Sequence, residues 1–295
     1  MYDFVSIGNY TKDTIVSIKA GTRQVDGGGF NYAAHAAVMM GLKTAAITRL
    51  AKEDFHVVEN LKKIGADVFA EATPHSTLMK LEYPTADVDH RILTVTSTAG
   101  SFTPEQINAV DAKAFLISAS IRGEMPLQTV KALRKKKALI AADVQGFIRV
   151  VSPKDGQLLY ERNWPEKEAV LELIDVLKTD AVESEAITGE KDIKKAAKML
   201  AEYGPKEIVL THRDGLLVYA EGKYYEAGFH PKELIGRSGR GDTCIGSYTA
   251  KRLSASPKDS CVWAAALTSL KMEAEGPIKR KVSEVEELIR TRYKK

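Results

Sequence analysis

The residues best suited to chemistry lie in segment 236–243, which has the sequence GRSGRGDT and precedes an apolar, helix-like pattern. Glycines at a helix start let backbone N–H groups converge on an anion, and the helix dipole favours negative charge there. Asp242 stands where a P-loop would have a lysine. A carboxylate beside a phosphate site is unfavourable unless it has a task, such as accepting a proton from an attacking hydroxyl. The alternative is that Asp242 only caps the helix.

Two further groups near the amino terminus could bind a hydroxylated ligand. Residues 26–31 have the sequence DGGGFN, in which Gly28 and Gly29 allow close approach of a ligand and Asn31 offers both a donor and an acceptor. This spacing is not the GxGxxG of a dinucleotide site, so an NAD-dependent dehydrogenase fits poorly. Asp13 follows the first strand-like run and, in a loop there, would suit paired hydroxyls. Either segment could instead be a simple turn.

A fourth candidate follows the strand-like run 176–179, where Asp180 and Glu183 are three residues apart. If a helix starts there, the two carboxylates share one face. Paired carboxylates near phosphates suit a hydrated magnesium ion, which takes few protein ligands and keeps several waters. The alternative is ordinary acidity at a helix start, which the helix dipole favours.

Short apolar runs alternate with longer amphipathic segments along the chain. This alternation predicts an α/β fold in which helices cover both faces of a mostly parallel sheet. Ligands of such sheets bind beyond the carboxyl ends of the strands, which is where the candidate residues lie. The strand-like runs are 4–7, 45–48, 114–117, 138–142, 176–179 and 207–211, and the helical patterns are 31–40, 57–64, 127–134, 193–203 and 257–272.

Two regions depart from this alternation, and both have the pattern of β-hairpins. Residues 77–96 are extended and two-sided with a polar centre at 84–87, which suggests a lid that stands off the main sheet. Residues 216–227 form the second hairpin around a turn at Glu221 and Gly222. No linker divides the chain, so residues 1–295 are expected to form a single domain with inserted lid strands at about 77–96.

Composition excludes several classes of protein. Charged residues make up 28% and apolar residues 44% of the 295, as in ordinary globular proteins with a buried core. No run approaches the roughly 18 apolar residues of a membrane span, and the amino terminus does not resemble a signal peptide. The formal charge of +4 and short basic runs do not predict nucleic-acid binding. Two cysteines and six scattered histidines predict neither disulfides nor a metal site, so we expect a cytoplasmic protein.

Taken together, the four candidate segments resemble the ribokinase-like carbohydrate kinase (PfkB) family, over nearly the whole chain. The family's carboxyl-terminal signature, Gly-Ala-Gly-Asp-Thr, is similar to residues 239–243 (GRGDT). Its amino-terminal glycine pair with a downstream asparagine is similar to residues 27–31 (GGGFN). Its substrate-binding aspartate corresponds to Asp13, and its Asn-x-x-Glu motif is similar to residues 180–183 (DAVE). All four motifs occur in the family's order and at roughly its spacing.

The resemblance implies a kinase that uses ATP and Mg²⁺ and has a three-layer α/β/α fold with a small β-hairpin lid. It implies that Asp242 deprotonates an acceptor hydroxyl and that an anion hole at 239–242, with Gly239, Arg240 and Gly241, holds the γ-phosphoryl group. The other implied roles are sugar binding by Asp13, Gly28, Gly29 and Asn31, magnesium ordering by Glu183, and cofactor binding by Asp180, Glu183, Thr211, Gly215 and Thr243, with helix 262–272 beside the adenine.

Two residues depart from the family pattern. Asp180 replaces the usual asparagine, which puts the position of magnesium in doubt. Arg240 replaces a small residue within the anion hole. Its guanidinium either reaches the phosphates or an anionic substrate, for which arginine is well suited, or it points to solvent.

Residues 236–244 and 141–149 most resemble a branch associated with inositol catabolism, whose members are described as inositol or keto-sugar-acid kinases. The second run supplies polar side chains that suit a polyol or a carboxylated sugar. The expected partner is such a small molecule, bound to a monomer or homodimer. The alternatives are a nucleoside kinase, although no aromatic platform for a base is apparent, and a non-catalytic sensor, which would not need Asp242 and Glu183. Further candidate substrate residues are Asp143, Gln145 and Arg149, together with Arg122 and Glu124.

Overall fold

Strands and helices alternate through the computed structural model, which describes residues 1–18, 21–85 and 92–293. The strands are β1 (Tyr2–Ile7), β2 (Thr11–Ser17), β3 (Gly21–Asp26), β4 (Thr44–Ala51), β5 (Asp67–Thr73), β6 (Thr77–Tyr83), β7 (Ile92–Ser97), β8 (Ala112–Ile117), β9 (Leu139–Asp143), β10 (Arg149–Val151), β11 (Leu158–Tyr160), β12 (Val176–Asp180), β13 (Glu207–Thr211), β14 (Gly215–Ala220) and β15 (Lys223–Gly228). The helices are α1 (Gly29–Met39), α2 (His56–Lys63), α3 (Pro104–Asn108), α4 (Leu127–Lys135), α5 (Gln145–Ile148), α6 (Lys167–Leu171), α7 (Ala181–Thr188), α8 (Ile193–Glu202), α9 (Arg240–Arg252), α10 (Pro257–Met272) and α11 (Val282–Arg292), with a 3-10 turn at Lys52–Asp54.

The central sheet has the strand order β15-β14-β13-β12-β9-β8-β1-β4-β5 among the described residues. Neighbours from β13 to β5 run parallel, and β14 and β15 extend the sheet antiparallel. The carboxyl ends of the parallel strands therefore meet at one edge, where loop residues form ligand sites. This architecture confirms the predicted α/β fold with a mostly parallel sheet.

Both faces of the sheet are buried, which explains why its strands are almost continuously apolar. In β8, Phe115 and Ile117 join the core beneath α3, α4, α6 and α8. Ala114 and Leu116 point the other way and join the core beneath α1, α9 and α10. Successive side chains of a strand point to opposite faces, so a single strand contributes to both layers. The result is the three-layer arrangement that the sequence predicted.

The lid is a four-stranded sheet in the order β3-β2-β6-β7, which is larger than the predicted hairpin. The expected strands at 77–96 are present as β6 and β7, and residues 86–91 of that segment lie outside the described residues. The additional strands β2 and β3 come from residues 11–26, and β2 pairs in parallel with β6. Their sequences carry little period-two signal because most of their residues are half-buried or exposed, so the two faces of these strands differ little in polarity.

Asp13 lies within strand β2 of the lid, so the predicted loop position for this residue is wrong. The error follows from the missed strands, because β2 begins only four residues after β1 ends. Asp13 is therefore carried by the lid, opposite Val25 of β3 and Met79 of β6. Its carboxylate Oδ2 still lies close to the glycine run, against Gly27.

The other predicted elements are confirmed within a few residues at their ends. The hairpin at 216–227 is β14 and β15, with Glu221 and Gly222 at positive φ (54° and 72°) in its turn. A further short hairpin of β10 and β11 reaches the lid, where Val95 N donates to Gly156 O at 2.8 Å. Across residues 1–18, 21–85 and 92–293, no helix has the length and apolar character of a membrane span.

Candidate active site

Two connected cavities open at the carboxyl edge of the sheet. The inner pocket, of about 190 Å³, lies between the sheet and the lid, and Asp242 and Lys178 are part of its wall. The outer cleft, of about 570 Å³, continues from it toward β13, with Asp180 and Thr211 on its wall. The residues that line both are Leu93, Arg149, Asp180, Thr211, Arg237 and Arg240. A ligand in one cavity can therefore reach a ligand in the other.

The carboxyl group of Asp242 lies where the amino-terminal ends of two helices converge. Asp242 is in the first turn of α9, and its Oδ1 would be 2.6 Å from a Cβ built on Gly29, the first residue of α1. Both helices thus direct unpaired backbone N–H groups and the positive end of a dipole toward the same point. Such a point stabilises a phosphoryl group, and a carboxylate held there is placed to accept a proton from a neighbouring hydroxyl.

Gly239 shapes the turn that feeds this helix start. Its φ is 73°, in the left-handed region, and a Cβ at this position would collide with the ring of Tyr32 on α1. Both features require glycine. We expect Gly239→Ala to lower kcat by about tenfold or more, since the backbone of 239–241 would have to shift. Steady-state kinetics beside Gly222→Ala, a positive-φ glycine in the distant β14–β15 turn, would separate this from general backbone strain. Equal activity of the two variants would contradict the prediction.

A buried lysine that sequence reasoning missed lies directly beneath the same loop. Lys178, in β12, is 4% exposed, and its ammonium Nζ would lie 3.1 Å from a Cβ on Gly241. It forms ion pairs with Asp143 Oδ2 (2.9 Å) and Glu183 Oε2 (3.7 Å). The signal in the sequence was a lysine in the middle of a predicted central strand, where a buried charge is costly unless it is paired or used.

The charges of this cluster shift one another's ionisation. Burial alone would lower the pKa of the Lys178 ammonium, but the carboxylates of Asp143, Glu183 and Asp180 raise it above its ordinary value. Burial raises the pKa of Asp143 to about 7, against the opposing charge of Lys178. Burial likewise raises the pKa of Asp242, opposed by the positive charges of Lys178 and Arg149. Asp242 is thus a stronger proton acceptor than an exposed aspartate.

The predicted carboxylate pair takes a different arrangement from the one expected. Asp180 and Glu183 form a capping box, with Glu183 N donating to Asp180 Oδ1 (2.8 Å) and Asp180 N donating to Glu183 Oε2 (2.9 Å). Asp180 lines both cavities, whereas Glu183 is fully buried and paired with Arg149 Nη2 at 3.0 Å. The Glu183 carboxylate therefore holds Arg149 and the start of α7 in place, one layer below the cavities.

Four arginines contribute to the wall of the outer cleft. Arg149, Arg213, Arg237 and Arg240 all line it. The Arg240 guanidinium lies over the ring of Phe229, 5.8 Å from its centroid. Arg240 lines both cavities, and contact of its guanidinium with a phosphate group stays a prediction. Such a set of fixed forks suits phosphate groups.

Some predicted site residues lie away from both cavities in the described structure. Arg122 donates instead to the carbonyl oxygens of Phe147 (2.6 Å) and Asn163 (3.0 Å), so it fastens a loop rather than a substrate. Glu124 is buried and accepts a hydrogen bond from Ser120 N at 2.7 Å, and burial raises its pKa to about 7. Asn31, Thr243 and Gly215 are also buried in the surrounding framework, where Thr243 N donates to Gly239 O. Of the predicted set, the inner pocket brings together Asp13, Gly28, Gly29, Gln145, Arg149, Asp180, Thr211, Gly239, Arg240, Gly241 and Asp242.

The lid closes the inner pocket with an apolar surface. Met79 and Leu81 of β6 and Leu93 of β7 face the pocket and belong to one small hydrophobic cluster. Asp13 adds a carboxylate to the same lid face. The pocket therefore has polar groups on the sheet side and mostly apolar groups on the lid side.

Comparison with known proteins places this arrangement in a family. The model of the pfkB family of carbohydrate kinases matches residues 2–283, almost the full chain. The chain belongs to the PfkB carbohydrate kinase family. Membership confirms the enzyme class that the four motifs suggested, namely a kinase.

Three relatives of this PfkB kinase illustrate the range of the family. A pyrophosphate-dependent kinase in the ribokinase family, solved with a pyrophosphate analogue and myo-inositol, is 31% identical, with a TM-score of 0.88 over 96% of this chain and 99% of that one. The cytidine kinase of Thermococcus kodakarensis is 26% identical over 271 residues, 89% of this chain and 92% of that protein. The ribokinase of Arabidopsis thaliana, complexed with ribose and ATP, is 17% identical, with a TM-score of 0.76 over 98% of each chain, and shares the fold.

Proposed function

We propose that the protein transfers a phosphoryl group from inorganic pyrophosphate to a hydroxyl of a cyclic polyol such as myo-inositol. The observation that carries this proposal is the position of Asp242, whose carboxylate lies at the meeting point of two helix amino termini and on the wall of the inner pocket. A base and an anion site then act on the same small volume. Phosphoryl transfer needs little else beyond positioning and charge stabilisation.

The shape of the inner pocket supports a cyclic polyol as the acceptor. Asp13, Gln145 and Lys178 provide groups for hydroxyls, while Met79 and Leu93 present an apolar surface. A cyclic polyol with equatorial hydroxyls matches this division, because its edge is polar and its two faces consist of C–H groups. A 31%-identical relative was solved with myo-inositol, which supports the same acceptor class.

The outer cleft supports pyrophosphate as the donor, in place of the ATP that the sequence predicted. Four guanidinium groups line a cleft of about 570 Å³. Arginine forks bind phosphate oxygens in pairs, so this wall suits a small, highly charged anion. The relative that was solved with a pyrophosphate analogue supports the same donor. ATP is the second candidate, favoured by the ribokinase complexed with ribose and ATP and by the volume of the cleft.

In the proposed reaction Asp242 accepts the proton of the acceptor hydroxyl as its oxygen attacks the terminal phosphorus. The new bond joins that oxygen to phosphorus, and the bond from phosphorus to the bridging oxygen breaks. Inorganic phosphate leaves when the donor is pyrophosphate, or ADP when it is ATP. The backbone N–H groups at the start of α9 and the ammonium of Lys178 stabilise the charge on the transferring group. Asp242 then releases its proton to solvent.

The residues of the outer cleft fit a magnesium ion held mainly by the donor. Asp180 is the carboxylate that lines this cleft in the described ranges, and magnesium commonly takes one or two protein carboxylates together with phosphates and waters. When bound, magnesium would neutralise charge on the donor phosphates. Glu183 would act on it only through Asp180, since its own carboxylate is occupied by Arg149 and Lys178. The same described ranges contain no cluster of three or more His, Cys, Asp or Glu side chains that could hold a metal ion.

The donor is tested by steady-state kinetics with pyrophosphate and ATP, each against myo-inositol, keto-sugar acids, hexoses and cytidine. We expect kcat/KM to be highest for pyrophosphate with myo-inositol. Arg240→Ala should raise KM for pyrophosphate about tenfold, since charge-assisted hydrogen bonds contribute about 1.5–3 kcal/mol. Arg162→Ala, at an exposed loop position, is the control. Turnover with ATP alone would overturn the donor assignment, turnover with cytidine would favour the nucleoside kinase, and no turnover with any pair would favour a sensor.

A further inference from the structure

The proposed chemistry leaves unexplained a second buried lysine, in helix α10. Lys271 is 1% exposed, and its ammonium Nζ donates a hydrogen bond of 3.0 Å to the carbonyl oxygen of Gly236. Gly236 begins the segment that leads into the helix start at Arg240. A lysine is almost never fully buried unless it is paired or used. Its position therefore needs an explanation.

The same ammonium also contacts the other end of that segment. It lies 5.5 Å from the centroid of the Tyr32 ring, at the distance of a cation–π interaction. The Tyr32 ring in turn packs directly against Gly239, where no Cβ could fit. Lys271 thus acts on residue 236 through a hydrogen bond and on residue 239 through an aromatic ring. Segment 236–239 is held from both of its ends by one charge.

We propose that the Lys271 ammonium is a positioning residue for phosphoryl transfer, an internal cation that fixes segment 236–239 so that the backbone N–H groups at the start of α9 face the transferring group. This inference rests on the proposed function, and it deepens that function by assigning a role to a side chain that touches no substrate. Helix α10 also holds the backbone where the segment begins. Ile235 N and Gly236 N both donate hydrogen bonds to Met272 O, at 2.9 and 3.0 Å.

The titratable groups that face Lys271 come from three parts of the fold. Asp242 lies on α9, Glu275 follows α10, and Tyr32 lies on α1. Burial lowers the pKa of Lys271 to about 8, and the carboxylates of Glu275 and Asp242 limit that decrease. Glu275 also pairs with Arg23 of lid strand β3 at 2.9 Å, where both side chains are well exposed. At neutral pH the ammonium is charged, and it loses its proton as the pH rises through about 8.

Lys271→Met tests the charge while keeping most of the side chain's length. The matched control is Lys251→Met, because the Lys251 ammonium also lies over an aromatic ring, that of Trp263, at 4.3 Å, but on the far part of α9. In Lys271→Met we expect kcat to fall about 10–100-fold with KM for the acceptor nearly unchanged, as for a lost positioning effect. The control should keep its kcat. An unchanged kcat in Lys271→Met would overturn the proposal.

The pH dependence separates this role from simple packing. In the wild type, kcat should fall above a pH of about 8, where Lys271 deprotonates. The stability should move in the opposite direction. Because the folded-state pKa is below that of the unfolded chain, the unfolded state binds more protons between the two values, so the free energy of unfolding rises with pH in that window. Lys271→Met should lack both effects. An alkaline limb that survives in Lys271→Met would contradict the assignment.

Chemical rescue tests whether a cation as such is needed. In Lys271→Ala, which leaves a cavity, added methylammonium chloride should recover kcat about tenfold relative to an equal ionic strength of tetramethylammonium chloride. The larger ion cannot donate a hydrogen bond to Gly236 O. Equal effects of the two salts would oppose an internal-cation role.

A readout independent of turnover keeps this inference separate from the proposed function. Hydrogen–deuterium exchange of the amides in 235–243 should be faster in Lys271→Met than in the wild type and unchanged in Lys251→Met. If the wild type turns over no donor and acceptor pair, the proposed function fails, and the exchange result still decides whether Lys271 holds the segment. If turnover is found but exchange in 235–243 is the same in all three proteins, the positioning role fails alone.

Discussion

Asp242→Asn is expected to lower kcat by about 10²–10⁴-fold, the usual contribution of a general base. The substitution keeps the size of the side chain and removes its ability to accept the hydroxyl proton. Donor binding should change little, since the arginines of the outer cleft remain in place. The measurement is steady-state kinetics together with calorimetric binding of the donor to the variant.

The control for this prediction is Asp111→Asn, which removes a carboxylate that is paired with Lys136 at 2.7 Å but is 75% exposed. An exposed pair of this kind contributes little to stability, so activity and melting temperature should stay near wild type. Full activity in Asp242→Asn would refute the base assignment. A variant that loses donor binding and turnover together would indicate that Asp242 shapes the anion site instead.

The second large effect is expected at Lys178. Lys178→Met should lower the free energy of unfolding by about 3–5 kcal/mol, because removal of one partner leaves Asp143 as an uncompensated buried charge. It should also lower kcat by about 10²–10³-fold, the usual loss when one preorganised charge at a transition state is removed. Thermal or urea unfolding and kinetics at a permissive temperature measure the two effects. Lys194→Met is the control, since its pair with Glu226 is half-exposed on both sides.

A double variant separates the two effects of Lys178. Lys178→Met combined with Asp143→Asn removes both charges of the buried pair and should recover much of the lost stability. It should not recover kcat, because the positive charge beneath Gly241 is still missing. Recovery of both would mean that Lys178 is needed only for folding.

The strands of the central sheet could be predicted from the sequence because their short apolar runs differ strongly from the amphipathic pattern of the helices. Runs such as 114–117 and 207–211 are apolar on both sides, and they are confirmed as the buried parallel strands β8 and β13. The lid strands β2 and β3 were missed because most of their residues are half-buried or exposed, so their sequences show no clear apolar face. Asp13 was placed in a loop for the same reason.

Residue type and spacing predict only part of the candidate site. The helix start at 239–242 could be predicted, because glycines before a helix have a local physical meaning. Arg122 has the same type and strand-end position as a binding arginine, and only the fold reveals that its guanidinium is used by backbone carbonyls. Lys271 gives no signal within the pattern of α10, since its partner Gly236 lies 35 residues away in sequence.

In the proposed reaction, one enzyme moves a phosphoryl group from a donor in the outer cleft to a hydroxyl in the inner pocket, with Asp242 as base. The most direct measurement is ³¹P NMR of the wild-type protein with pyrophosphate, magnesium and myo-inositol. We expect each pyrophosphate consumed to yield one inorganic phosphate and one phosphomonoester of the polyol, and Asp242→Asn to form almost none of the ester. Conversion of pyrophosphate to inorganic phosphate alone, or ester formation at the wild-type rate by Asp242→Asn, would contradict it.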